Sequence, residues 1–127
     1  MSTPATSPEE VIRRFALHLN EGDVDAALGL YETDAAFAPE PGALVHGREA
    51  IREALERFAA LRPTLTGAIR KVVVADGTAL VVNEWRLSGT QPDGDPIDMG
   101  GLSADVLRLQ RDGSWRVLID DPWGGGV

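Results

Sequence analysis

The apolar residues of this chain change their spacing at Pro63, and that change constrains the fold more than any other feature. Before it they recur every third or fourth position. Val11, Ile12, Phe15, Ala16 and Leu19 form one such stripe, and Ile51, Leu55 and Phe58 form another. From Leu65 onward they alternate, and two turn sequences, Asp76-Gly77 and Arg111-Asp112-Gly113, divide the alternating runs as hairpin turns do. Helices first and an antiparallel meander afterwards is the order of an α+β fold.

The boundaries follow from local chemistry. Ser7 as N-cap, Pro8 at the first helical position and Glu10 at the third open a helix of about three turns, which ends at Asn20-Glu21-Gly22. Asp23 caps a short second helix over residues 24–31. The segment DAAFAPEP, residues 34–41, holds two prolines that exclude regular helix, so it should run extended along the body. A third helix follows Gly47 and stops near Leu61, because Pro63 restricts the residue before it. Strands are expected over residues 65–75, 78–88, 97–109 and 114–121. Gly100-Gly101 inside the third of these marks a bulge or bend, so the sheet should curve. The reading is a single domain over residues 1–127, with 1–6 and 124–127 as flexible ends.

A chain of 127 residues that is 43% hydrophobic can bury one real core. Its net charge of −8, with Lys71 the only lysine, argues against nucleic acid and anionic membranes as partners. Without cysteine there is no disulfide, cysteine zinc site or thiol nucleophile. No apolar run approaches membrane-spanning length and the start is not signal-like, so a soluble, cytoplasmic protein is expected. Asp93-Gly94-Asp95 with Asp98 lacks the spacing of a calcium loop and reads as a turn; no metal is expected. Phosphate-binding loops, dinucleotide fingerprints and nucleophile elbows are missing from the sequence, so no cofactor is expected either.

A curved sheet with helices across its concave face encloses a cone, and the mouth of a cone suits a small molecule. Alternation places Val81, Asn83, Trp85 and Leu87 on one face of the second strand, and Ser103, Asp105, Leu107 and Leu109 on one face of the third. On the fourth, Arg116, Leu118 and Asp120 oppose Trp115, Val117, Ile119 and Asp121. An outward row of Trp115, Val117 and Ile119 would be apolar surface, which predicts a homodimer through the outer sheet face. Asp105 is either a pocket acid or a buried carboxylate satisfied by loop amides. Asp120, on the same face of the neighbouring strand, could share a proton with it and divide the pair into acid and base. Trp85 and Asn83 would orient a flat ligand, or Trp85 is a core residue with its indole N–H on a carbonyl. Phe15, Ser103, Leu118 and Tyr31, the last foremost a packing residue, complete the expected ligand wall. Asp121 is placed to cap the turn at Pro122. His46 reads as a solvated loop residue.

Several stretches carry a family pattern. They are Gly22-Asp23, Leu30-Tyr31, Asp34-Ala35, Pro41-Gly42 and His46-Gly47-Arg48-Glu49-Ala50-Ile51, then Asp112-Gly113-Ser114-Trp115-Arg116 and Asp120-Asp121-Pro122-Trp123. Over residues 8–123 the chain resembles the nuclear-transport-factor-2-like superfamily, and is most similar to its SnoaL-like, ketosteroid-isomerase-like bacterial branch. That resemblance implies a cone-shaped α+β fold. It leaves the activity open, since members include isomerases, polyketide cyclases, epoxide hydrolases, dehydratases and non-catalytic proteins. The isomerases' oxyanion-donating tyrosine on the first helix corresponds here to Phe15, and their general base to Pro39, beside Glu40. Their second oxyanion donor, a protonated aspartate on the third strand, corresponds to Asp105. With two of three groups replaced, steroid isomerisation is not the implied reaction.

Two functions remain. One is a cofactor-free acid–base enzyme for an apolar or cyclic metabolite, of isomerase, cyclase, dehydratase or hydrolase type, with Asp105 and Asp120 moving the protons. The other is a non-catalytic dimeric module that binds a ligand or a partner.

Overall fold

Ser7 opens the first helix as its sequence requires: its hydroxyl accepts the Glu10 N–H at 3.2 Å, and α1 runs Pro8–Asn20. The computed structural model describes residues 4–125. At the far end of α1 the Asn20 side-chain amide brackets the edge strand, donating to Leu65 O at 3.0 Å and accepting from Leu65 N at 2.6 Å. The second helix, α2 (Val24–Leu28), is capped by the Asp23 carboxylate but is shorter than expected. Tyr31, predicted to close it, instead begins strand β1 (Tyr31–Phe37). Next come β2 (Val45–His46), α3 (Arg48–Ala59), β3 (Thr64–Ala75), β4 (Thr78–Thr90), β5 (Pro96–Leu109) and β6 (Trp115–Asp121).

The sheet has the order β2-β1-β6-β5-β4-β3 and is not closed. The expected antiparallel meander is β3 to β6. Asp76 and Gly77 both take positive φ, 50° and 69°, which is the backbone a two-residue hairpin turn needs. The segment read only as extended contributes β1, which lies parallel to β6 with Tyr31 opposite Val117 and Phe37 opposite Asp120. Helices cover the concave face. Tyr31, Ile51, Leu55, Leu107, Val11 and Val81 are fully buried there. Phe15, Tyr31, Phe37 and Phe58 meet edge to face in series, with centroids 6.0, 6.5 and 6.3 Å apart.

The predicted faces of β4 hold throughout: Val81, Asn83, Trp85 and Leu87 are buried. On β5, Ser103, Asp105 and Leu107 point inward, but Leu109 is exposed at the strand end. On β6 simple alternation fails. Val106 pairs with Ile119 and Leu107 with Val117, so Leu118 is an extra residue with no partner on β5. Before this bulge Trp115 and Val117 face the core, 8% and 5% exposed; beyond it Asp120 faces inward and Ile119 outward. The expected outward row of Trp115 and Val117 is therefore core, and only Ile119 of that row reaches the surface.

The described parts of the two ends are built into the fold. Ala5 is buried and its carbonyl accepts the Trp115 N–H at 2.9 Å, while the Gly125 N–H donates to Leu102 O at 2.9 Å. For residues 1–3 and 126–127 the expectation of flexible ends lies outside the described residues. Among the described residues no helix is long and apolar enough to cross a membrane.

The bulge makes a prediction. Val117→Ala should destabilise the fold by about 2 kcal/mol, the transfer and cavity cost of a buried aliphatic side chain. Arg116→Ala should stay within about 0.5 kcal/mol, as surface substitutions do. Urea unfolding of both variants checks this; equal losses would refute the register.

Candidate functional site

The register that buries Val117 also sets Asp105 directly opposite Asp120. Both side chains enter one cavity of about 590 Å³, a volume suited to a small organic ligand. Its walls come from α1 (Val11, Ile12, Phe15, Leu19), α3 (Leu55, Phe58), β1 (Tyr31, Phe37) and β3 (Leu65, Gly67, Ile69). The sheet supplies Asn83, Trp85, Leu87, Ser103 and Val117, and the C-terminal turn supplies Pro122 and Trp123. The lining is mainly apolar and aromatic; apart from Arg13 and Thr66, its polar groups lie along one strip.

That strip is a hydrogen-bonded chain. The Tyr31 hydroxyl donates to Asp120 Oδ2 at 2.5 Å. Ser103 Oγ lies 3.0 Å from Asp105 Oδ2 and 3.2 Å from the Asn83 carbonyl. Asp105 Oδ1 is buried and has no donor among the described residues. A second ionised carboxylate cannot supply one; a proton shared with Asp120 can.

The electrostatics point the same way. Burial pushes the Asp105 carboxyl well above the usual carboxylate range, and the adjacent Asp120 charge adds to the shift. Contacts from Ser103 and the Asp121 main chain oppose it. Asp120 is also raised by burial, but hydrogen bonds from Asp105 and Tyr31 favour its charged form and limit the rise. Burial, then the Asp120 charge, hold the Tyr31 phenol protonated well above its ordinary range. Both carboxyls are therefore raised, Asp105 the more strongly, and the neutral Tyr31 phenol donates to Asp120. Arg13 lines the cavity from an exposed position on α1.

Of the residues singled out in the sequence, Asp105, Asp120, Phe15, Tyr31, Asn83, Trp85 and Ser103 all meet in this cavity. Leu118 does not. As the bulge residue it loses its place to Val117, which alternation had put outside. Trp85 lines the cavity, and its indole N–H donates to Pro122 O at 2.7 Å, the carbonyl bond that the core reading expects. Tyr31, expected mainly as packing, also holds Asp120 through its hydroxyl. Sequence reasoning missed Trp123, which packs edge to face on Trp85 with centroids 5.2 Å apart. Its signal was its place at the end of the family pattern Asp120-Asp121-Pro122-Trp123. Asp121 caps that turn through the Trp123 N–H at 3.2 Å. His46 is exposed on β2, and Pro39 and Glu40 lie with Arg57 and Leu61 around a separate depression. Asp93 accepts the Asp95 N–H in a turn.

A SnoaL-like domain model matches residues 12–118. The chain belongs to the SnoaL-like family. Members bind ligands, and some are isomerases or cyclases. Solved structures show the same nuclear-transport-factor-2-like, cystatin-like fold. A protein of unknown function from Mycobacterium tuberculosis is 23% identical, with TM-score 0.76 over 88% of this chain and 70% of that one. An NTF2-like protein with a cystatin-like fold from Novosphingobium aromaticivorans is 20% identical, with TM-score 0.74 over 87% and 75%. A ketosteroid isomerase-like protein from Erwinia carotovora atroseptica is 19% identical, with TM-score 0.76 over 88% of both chains. No curated protein matches the sequence.

The buried acid gives the SnoaL-like domain an unusual pH dependence. A carboxyl whose folded pKa is raised favours folding while it is protonated, and that contribution is lost as pH rises from the unfolded value of about 4 through the folded one. Asp105→Asn keeps the shape without the ionisation. It should melt higher than the parent at pH 8, with the gain shrinking towards pH 4. Thermal unfolding across that range checks this; a gain that is largest at pH 4 would contradict it.

Proposed function

We propose that this SnoaL-like domain is a cofactor-free acid–base enzyme acting on an uncharged, mainly apolar cyclic compound. The observation that carries the proposal is the Asp105–Asp120–Tyr31 cluster at the wall of a single apolar cavity. Two coupled carboxyls that share a site can supply both the base and the acid for abstraction of a proton beside a carbonyl. Asp120 takes the proton from the carbon next to the carbonyl, and the C–H electron pair becomes the C=C of the enol. The carbonyl oxygen meanwhile takes up the charge and the hydrogen bond or proton of Asp105. Where a neighbouring C=C extends the enol to a dienol, returning the proton from Asp120 to its far carbon shifts the double bond and isomerises the substrate; attack of the enol carbon on a second carbonyl, whose oxygen takes up the proton, closes a ring. Tyr31 supports the charged Asp120 before the transfer. Phe15, in the position of the isomerases' tyrosine, supplies only an apolar wall, so the oxyanion rests on Asp105 alone.

The test is solvent deuterium incorporation at the carbon beside the carbonyl of cyclic ketones such as 1-tetralone and 2-decalone, followed by NMR. The native protein should accelerate exchange. Asp120→Asn and Asp105→Asn should each lower the rate by about 100-fold or more, within the usual range for a general acid or base. Exchange no faster with the native protein than with Asp105→Asn across the panel would leave a non-catalytic ligand-binding module as the better reading.

The same reading includes a homodimer. Val73, Leu80, Val106 and Ile119 are register partners across four strands on the outer face, and three are 47%, 40% and 41% exposed. The ion pairs Arg70–Glu84, Arg86–Asp98 and Arg108–Glu32 carry both signs, so a second copy can approach despite the negative net charge. Sedimentation should show a dimer at micromolar concentration and a monomer for Leu80→Glu; a native monomer would refute it.

A further inference from the structure

Among the described residues that line the cavity, only Arg13, Thr66 and Gly67 are exposed; all the others are buried or half-buried. Arg13 belongs to α1 and the other two to β3. The cavity therefore opens to solvent along the seam between that helix and the edge strand. The Asn20 amide bridges the same seam at Leu65.

Arg13 is the one cation among these lining residues. It precedes Asn20 by about two helical turns, so both side chains leave α1 on the side that faces β3. Its guanidinium has no ion pair or hydrogen bond among the described residues, whereas Arg14, Arg52, Arg70, Arg86 and Arg108 each meet a carboxylate. Partners are not scarce, since Asp and Glu outnumber Lys and Arg by 20 to 12. Glu9 and Glu10 lie one turn earlier, where a helical ion pair forms most readily. Glu10 is taken by Arg14 and Thr6, and Glu9 does not pair with Arg13. The rim of the cavity thus carries an unspent positive charge.

The sheet order also separates this charge from the acids. Asp105 stands on β5, two strands in from β3, and Asp120 on β6, one strand further. Two strand spacings are roughly 10 Å. A compound whose apolar ring reaches the acids therefore keeps its far substituent at the α1–β3 rim. A two-ring system with a short arm is about that long. An anionic group on that arm stays in water and clear of Asp105 and Asp120, with Arg13 beside it.

We propose that Arg13 is a specificity-determining residue of this cavity, and that its guanidinium receives the carboxylate of a ring acid whose apolar ring lies within the walls. The paired N–H groups of a guanidinium match the two oxygens of a carboxylate. The inference rests on the acid–base reading for which end of the compound lies inside, and deepens it: the ring among the walls is uncharged, and the charge stays at the rim. Its test reads binding alone.

The probes are 2-naphthylacetate and 2-naphthylacetamide, which match in shape and differ in charge at pH 7. Their affinities are measured by calorimetry on the native protein, Arg13→Gln and Arg57→Gln, at low ionic strength and in about 0.5 M NaCl. The native protein should bind the acid about fivefold more tightly than the amide at low salt, near the upper end of what an exposed ion pair supplies. Added salt should shrink that preference. Arg13→Gln should abolish it and leave the amide's affinity within about twofold, since an exposed substitution disturbs the fold little. Arg57 lies at the separate depression, so Arg57→Gln should keep the preference in full. Equal affinities on the native protein, a preference that survives Arg13→Gln, an equal loss in Arg57→Gln, or no binding of either probe would overturn the inference. Deuterium exchange of the neutral ketones without any carboxylate preference would leave the acid–base reading standing and this one refuted; a preference lost in Arg13→Gln, without exchange, would do the reverse.

Discussion

The pairing of β5 with β6 around Leu118 is the constraint on which core and cavity both depend. Trp115 and Val117 must face inward to fill the core between sheet and helices. In an unbroken strand that parity would carry Ile119 and Asp121 inward and turn Asp120 to solvent. One extra residue reverses the parity halfway along the strand. The same seven-residue segment can then bury aliphatic and aromatic surface at one end and aim a carboxylate into the cavity at the other. Ile119 is turned to the outer face by the same step, where it joins Val73, Leu80 and Val106.

The cavity is a place where the fold gives up stability. Among the described residues no cation neutralises Asp105, and its surroundings favour the neutral acid over the ion. What makes the pair tolerable is its hydrogen bonding: a hydroxyl from Ser103 on one carboxyl and a phenol from Tyr31 on the other. Tyr31 can do this because its backbone is held at the start of β1. The Arg48 guanidinium donates twice to its carbonyl, at 2.6 and 3.2 Å, and β1 pairs it with Val117. The N-terminus of α3 thus helps aim a phenol that lies far from it in sequence.

Features written in local chemistry were legible in advance. Ser7-Pro8 started a helix, Asp76-Gly77 turned a hairpin, and alternation on β4 and most of β5 put Asn83, Trp85, Ser103 and Asp105 on one inner face. What escaped depends on distant partners. Residues 31–37 look neither strongly helical nor strongly strand-like, and β1 exists because β6 offers it a parallel edge. The bulge at Leu118 has no residue that announces it, such as a glycine; it follows from the competing demands of Val117 and Asp120. Gly124 and Gly125 looked like a loose tail. At Gly125 the missing side chain serves instead to let the chain lie against Ser103, which is how Trp123 reaches the cavity.

The central claim is that Asp105 is a neutral acid at neutral pH because it is buried beside Asp120. The most direct measurement is a carboxyl-carbon NMR titration of the ligand-free protein, repeated in Asp120→Asn. The account predicts that the Asp105 resonance keeps its protonated position at pH 7 and that its titration midpoint falls when Asp120 is replaced. An Asp105 that ionises near pH 4, as an ordinary carboxyl does, would contradict it.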